Sequence, residues 1–175
     1  MSEDKLEDKL EAIERRLAVL EDERDIARLI ASYGPLVDAG DAEGAAALWT
    51  ADGSYDTGDW TMSGSDEIAA MVRSEAHQGL IANGCCHFFG PPVIEVDTDD
   101  AVAVCESALL VRRDSGGYAV ARAGAHVMRL RRDGGAWRIT TRTARQFDAG
   151  GAGRDLLTGP EVDPVLRSSR DRRGP

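Results

Sequence analysis

Apolar residues enter the chain in a regular rhythm. Leu6, Leu10, Ile13, Leu17 and Leu20 are spaced 4, 3, 4 and 3 apart, with charges at most positions between them. That is the seam of a coiled coil, and it predicts a helix over 3–31. A seam of little more than two heptads is short for an independent coiled coil. Two placements stand open: a helix laid on its own domain, or a contact between two copies of the chain. From Ile26 the stripe widens to Ile26, Leu29, Ile30, Tyr33, Leu36 and Val37, the face of a helix packed on a core. Pro35 is expected to kink or end it, and Gly40 to cap it. Asp41 then caps a second helix over 45–49.

The period next shortens. The aromatic, turn-rich run 54–60 predicts a strand and hairpin, and a third helix follows over 67–77. Residues 85–89 form a strand that ends at Gly90-Pro91-Pro92, and 93–96 form another. Longer strands are predicted over 101–113, 118–132 and 136–147, separated by Asp114-Ser115-Gly116-Gly117 and Asp133-Gly134-Gly135. Such turns between alternating runs mark hairpins. Helices first and an antiparallel meander afterwards define an α+β fold, a sheet curled around its helices with a pocket between them. From 149 onward Gly, Pro, Ser and Arg dominate, so a mobile tail is expected. The expected organisation is a helical extension over 1–21, one α+β domain over 22–148 and a flexible tail over 149–175.

Composition narrows the function. The chain has 175 residues and a net charge of −10. An acidic surface argues against nucleic acid as a partner, since phosphate contacts need basic groups. No apolar run approaches the ~20 residues needed to span a bilayer, so no membrane insertion is expected. The first nine residues are acidic and polar where a secretory signal is basic and then apolar, so the expected location is the cytoplasm. Cys85, Cys86 and Cys105 are odd in number and two are adjacent, which predicts reduced thiols and no zinc site. Gly116-Gly117 and Gly134-Gly135 are hairpin turns, not a phosphate cradle.

Four stretches carry a resemblance. They are 26–38, with Tyr33 and Asp38 five apart; 46–53, around Leu48-Trp49; 87–95, beginning His87-Phe88-Phe89-Gly90-Pro91-Pro92; and 131–139, with Asp133-Gly134-Gly135-Ala136-Trp137. Taken in order they resemble the SnoaL-like branch of the nuclear-transport-factor-2-like superfamily, a cone-shaped α+β fold. Within it the chain is most similar to proteins of the scytalone dehydratase and bile-acid dehydratase types. The resemblance implies that Asp38 on the first helix pairs with a pocket histidine, His87, and that Tyr33 holds a substrate oxygen. His126 falls at a strand position that carries a polar pocket residue in the fungal dehydratase. That enzyme's second catalytic histidine lies on the strand matched by 101–113; this chain has none there, and Arg112 stands nearest.

One Asp and one His suffice for proton transfer without metal or cofactor. The histidine titrates near neutrality, and a carboxylate on its other nitrogen fixes the tautomer and steadies the imidazolium. The expected function is a cofactor-independent lyase, a dehydratase by preference, or an isomerase, acting on a small hydrophobic cyclic molecule such as a polyketide or steroid-like ring. The alternative is a non-catalytic ligand-binding or structural subunit, as in the small subunit of ring-hydroxylating dioxygenases. A homodimer or higher homo-oligomer is expected in either case. Each candidate also has a structural reading: Asp38 as a turn cap, His87 as a satisfied core residue, Tyr33 as packing on its helical stripe. His126 alternates with Met128 and Leu130 and is expected to face inward. Arg145 shares the parity of Trp137 and Ile139 and is expected to enter the cone and bind an anionic or carbonyl group. Arg142 has the opposite parity and is expected in a surface ion pair. Tyr55 and Trp60 are expected at the pocket mouth, with Phe89 and Met128 as apolar lining. His77, near a helix end, is expected to be solvated.

Overall fold

The computed structural model describes residues 3–167. One uninterrupted helix, α1 (Glu3–Asp38), opens the chain and carries both apolar stripes. The expected break at Pro35 does not occur. Proline lacks an amide hydrogen, but Pro35 stands in the last turn and gives up a single bond, and the Ala39 amide still closes on the Pro35 carbonyl at 3.0 Å. The two stripes have different fates. Ile26, Ile30, Tyr33 and Val37 are buried, whereas Leu6, Leu10, Ile13, Leu17 and Leu20 are 47–62% exposed. The seam therefore does not lie on its own domain. The change comes at Asp22, whose carboxylate accepts from Arg132 at 2.7 Å and from the Trp137 indole at 3.0 Å.

Helix α2 (Ala42–Ala46) follows, with Asp41 accepting from the Gly44 amide as its N-cap. After β1 (Trp49–Asp56) and β2 (Thr61–Ser63) come α3 (Ser65–Arg73) and α4 (Glu75–Asn83). The single helix expected over 67–77 is divided at Ser74, which adopts an extended backbone and caps α4 through its hydroxyl. The remaining strands are β3 (Cys85–Phe89), β4 (Val93–Asp97), β5 (Asp100–Arg112), β6 (Tyr118–Asp133) and β7 (Ala136–Gln146). Short helices α5 (Ala152–Leu157) and α6 (Val162–Arg167) close the described chain.

The sheet has seven strands in the order β2-β1-β7-β6-β5-β3, with β4 also on β5. It is antiparallel except where β1 pairs with β7 in parallel, a long-range pairing the meander did not anticipate. Its concave face packs on α1, α2 and α3 through Ile30, Ile68, Met128, Leu130 and Ile139. Its outer face holds a smaller cluster, Val104 and Val127 against Val162 and Val165 of α6. Residues 152–167, expected as a tail, thus include two helices, and α6 docks on the sheet because its two valines stand three apart on one face. Residues 168–175 lie outside the described chain.

Two irregularities in the sheet bear on function. Between β6 and β7 the register shifts after Leu130–Ile139, so that Arg129 pairs with Thr141 and Thr140 is the extra residue. Between β5 and β6 it shifts at Leu109–Leu110, leaving Ala121 unpaired. An extra residue reverses which side chains face the core beyond it.

Candidate functional site

A cavity of about 120 Å³ lies between α1, α3, α4 and the strands β1, β3, β5, β6 and β7. Its first feature is a close approach of α1 to β3. A Cβ on Gly34 would lie 2.1 Å from the carbonyl oxygen of His87. Only a residue without a side chain lets the helix come so near. That approach carries Asp38, one turn later, onto the strand. Its carboxylate accepts the His87 amide at 2.8 Å, the His87 Nδ1–H at 2.6 Å and the Cys85 thiol at 3.4 Å.

A carboxylate only accepts, so Nδ1 carries the proton and Nε2 keeps its lone pair. Burial holds the His87 pKa below its ordinary value despite the opposing pull of Asp38, and His77 and Arg122 push it down as well. His87 is therefore neutral at pH 7, a base with its tautomer fixed. Asp38, Cys85 and His87 also bring possible metal-ligand atoms within 4.8 Å of one another. In this structure they are engaged with each other by hydrogen bonds, and burial and Asp38 raise the Cys85 pKa to about 11.

His77 departs from expectation. It is buried, its Nε2 contacts the Val37 carbonyl at 3.1 Å, and its ring stacks on His87 at 5.5 Å. The reason is the added helix α4, which turns His77 from a helix end into a first-turn residue facing α1.

His126 faces inward as its alternation predicted, and is 5% exposed. Its Nδ1 accepts from Arg142 Nε at 3.3 Å, and its Nε2 lies 2.6 Å from the Ser107 hydroxyl. Burial and two arginines, Arg142 and Arg122, hold its pKa well below normal. A neutral ring whose Nδ1 accepts must carry its proton on Nε2. His126 therefore donates to Ser107 and is not a base toward it. The Ser107 hydroxyl hydrogen remains free to serve another acceptor in the cavity it lines.

Both arginines line the cavity, Arg145 as expected and Arg142 against expectation. Arg142 is 2% exposed, its guanidinium 4.4 Å from the Tyr33 ring centroid, 4.2 Å from Tyr55 and 4.9 Å from Phe89. Arg145 lines the cavity too, but its guanidinium is paired with Asp56 at 2.7 Å. The bulge at Thr140 is the cause. Parity counted from Trp137 and Ile139 is inverted beyond it, so Arg142 takes the inward position.

Tyr33, Tyr55, Phe89 and Trp60 all line the cavity, Trp60 half-exposed at its mouth. Tyr33 packs edge-on against Trp49 and Phe89, and burial raises its pKa to about 12, so it is a phenol and a donor. Met128 is absent from the lining. It points inward but lies two residues deeper along β6 than His126, within the packed core. Ser107, His77, Arg122 and Arg142 are lining residues the sequence reading missed as such. Ser107 alone had a legible signal: it shares the parity of Ala101, Ala103, Cys105 and Leu109.

Comparison with known proteins agrees with this architecture. A model of the SnoaL-like domain matches residues 18–143. An NTF2-like protein with a cystatin-like fold from Novosphingobium aromaticivorans is similar at 38% identity and a TM-score of 0.81, over 84% of this chain and 96% of that one. A scytalone dehydratase-like protein from the same organism aligns with 19% identity and a TM-score of 0.63, over 74% and 86%. A beta subunit assigned to an aromatic-ring-hydroxylating dioxygenase, again from that organism, aligns with 22% identity and a TM-score of 0.61, over 74% and 91%. The last two likenesses are of fold alone. No curated protein sequence matches the chain. The match to the family model over most of its length, on a cone whose first helix and third strand meet at Asp38 and His87, makes the chain a member of the SnoaL-like domain family.

Proposed function

We propose that the cavity is the active site of a cofactor-independent lyase or isomerase that moves protons on a small cyclic substrate, with dehydration the preferred reaction. The observation that carries this reading is the 2.6 Å contact between Asp38 and His87 Nδ1 beside a cavity that His87 lines. In the dehydration, His87 Nε2 takes the proton alpha to a carbonyl, and the C–H electron pair becomes the double bond of an enolate. The Asp38 carboxylate steadies the imidazolium. The Tyr33 phenol and the free Ser107 hydroxyl are donors available to the enolate oxygen. The enolate then expels a beta hydroxyl, which leaves as water with the proton His87 has held. Returning that proton to a different carbon gives an isomerisation instead.

The first half of either reaction is detectable without knowing the substrate. With a cyclic ketone such as 2-tetralone in D₂O, the protein should speed deuterium exchange at the alpha carbon, read by NMR. His87→Gln should lower that rate by roughly 10²–10⁴-fold, the range for one positioned proton-transfer group. Asp38→Asn should also be slow, and the double variant no slower than the worse single one, because the pair acts as one unit. Exchange unchanged in a folded His87→Gln would leave the non-catalytic ligand-binding subunit as the reading.

We further propose that the exposed seam from Leu6 to Leu20 joins two copies of the chain. A self-complementary apolar row on a helix that its own domain leaves uncovered supports this.

A further inference from the structure

Proton transfer by Asp38 and His87 makes no use of Arg142. Yet this is a cation almost wholly withdrawn from water, a placement that is unfavourable unless something compensates the charge. Part of the compensation is in place. Three aromatic faces surround the guanidinium, and Nε donates to His126. His126 is neutral, however, and among the described residues no carboxylate pairs with Arg142. Asp59, on the cavity lining, is exposed at the rim, and Asp56 is engaged by Arg145. Arg122 adds a second positive charge to the lining. The cavity therefore presents a guanidinium whose charge no carboxylate among the described residues balances, walled by rings, with room for about one ring of a ligand.

We propose that the ligand of this cavity is a ring-bearing organic acid whose carboxylate seats on Arg142. This rests on the reading of the cavity as the substrate site and adds its substrate class. The planar guanidinium fork matches a carboxylate in two parallel hydrogen bonds, which an ammonium or a neutral donor does not. His87 and Phe89 stand two apart on one face of β3, about 7 Å along the strand, and Arg142 lies over Phe89. The proton-transfer pair and the carboxylate site are thus separated by roughly the width of one ring. A ligand anchored at Arg142 by its acid group presents its far side to His87.

The test is binding by the full chain, in low-chloride buffer at neutral pH, of benzoate and cyclohexanecarboxylate against their amides. Calorimetry should show each acid bound at least about tenfold more tightly than its amide, as expected for a hydrogen bond to a charged group. Arg142→Met should bring that ratio to about one while the amides still bind, and Arg142→Lys should restore part of it. The wild-type ratio also stands alone should Arg142→Met not fold. Acids bound no better than amides by the wild type, neither acid bound at about 10 mM, or a ratio that survives Arg142→Met would each overturn the proposal. His87→Gln should leave the ratio intact. A protein that selects the acids yet fails to exchange alpha protons counts against the proposed reaction and not against this anion site.

Discussion

A carboxylate that accepts an amide, an imidazole N–H and a thiol together is held by its partners, and Asp38 is held in this way only because Gly34 lets the helix touch the strand. Gly34→Ala sets a methyl against a backbone oxygen that has no rotamer to escape into. It should destabilise the fold by about 1–3 kcal/mol, as overpacking does, and shift the His87 amide resonance as that bond lengthens. Denaturant melts with an ¹⁵N-HSQC spectrum check both; a variant as stable as the wild type with an unmoved His87 amide would show that the contact is soft. Acid acts on the same residues. His87 and His126 both have folded pKa values below the ordinary 6.5, so the unfolded chain takes up protons first as pH falls. Their contribution to stability is full above about pH 6.5 and is lost as pH falls from there through the depressed folded values. Urea midpoints from pH 7.5 to 5 should decline, and replacing His126 with Asn should flatten part of the decline. A base that works unprotonated also predicts that kcat/KM is level above pH 6.5 and falls in acid.

At the scale of the element, α6 has the clearest energetic role. Val162 and Val165 are buried against Val104 and Val127 on a sheet face that α5 also covers through Leu156 and Leu157. Ending the chain after Phe147 uncovers that patch, and the truncated protein should melt lower and aggregate on heating; Val162→Asp should do the same in the full chain, by roughly 1–3 kcal/mol. Differential scanning fluorimetry with light scattering decides whether the segment is structural. Sparse apolar residues after 149 predict a tail here, but two valines one turn apart, with Leu156 and Leu157 beside them, are enough to seal a small patch. The same limit governs the rest of what was legible. Strand positions, the inward face of His126 and the Asp38–His87 meeting followed from periodicity and family likeness, since both concern a repeating pattern or a stretch with a strong signal. Arg142 did not, because one inserted residue at Thr140 reverses parity and nothing in Ile139-Thr140-Thr141-Arg142 announces it. His77 did not either, because its burial depends on where α3 stops, and that is set by the extended backbone at Ser74. Parallel pairing of β1 with β7 joins segments nearly ninety residues apart, beyond the reach of any local pattern.

For the whole molecule the open question is what covers the first half of α1. A helix of 36 residues is about 54 Å long, and side-chain anchorage to the sheet begins near Asp22. The five seam residues are each about half exposed, so sealing them against a second copy removes apolar surface worth about 1 kcal/mol apiece, or about 10 kcal/mol for both chains. That is comparable to the 4–15 kcal/mol lost in association, so the seam by itself is marginal and needs the cone domains to add contacts. Three results should follow together. The full chain should sediment as a dimer or larger. A peptide of residues 1–24 should stay monomeric and poorly helical, as short isolated helices do. Deleting residues 1–20, or changing Leu10 and Leu17 to Glu, should weaken association, lower the melting temperature and make it depend less on protein concentration. An unchanged mass by analytical ultracentrifugation in both variants, with unchanged melting, would show that the seam joins no second copy. A seam that still matters while the cavity keeps its preference for acids would show assembly and ligand selection to be separable properties of one cone.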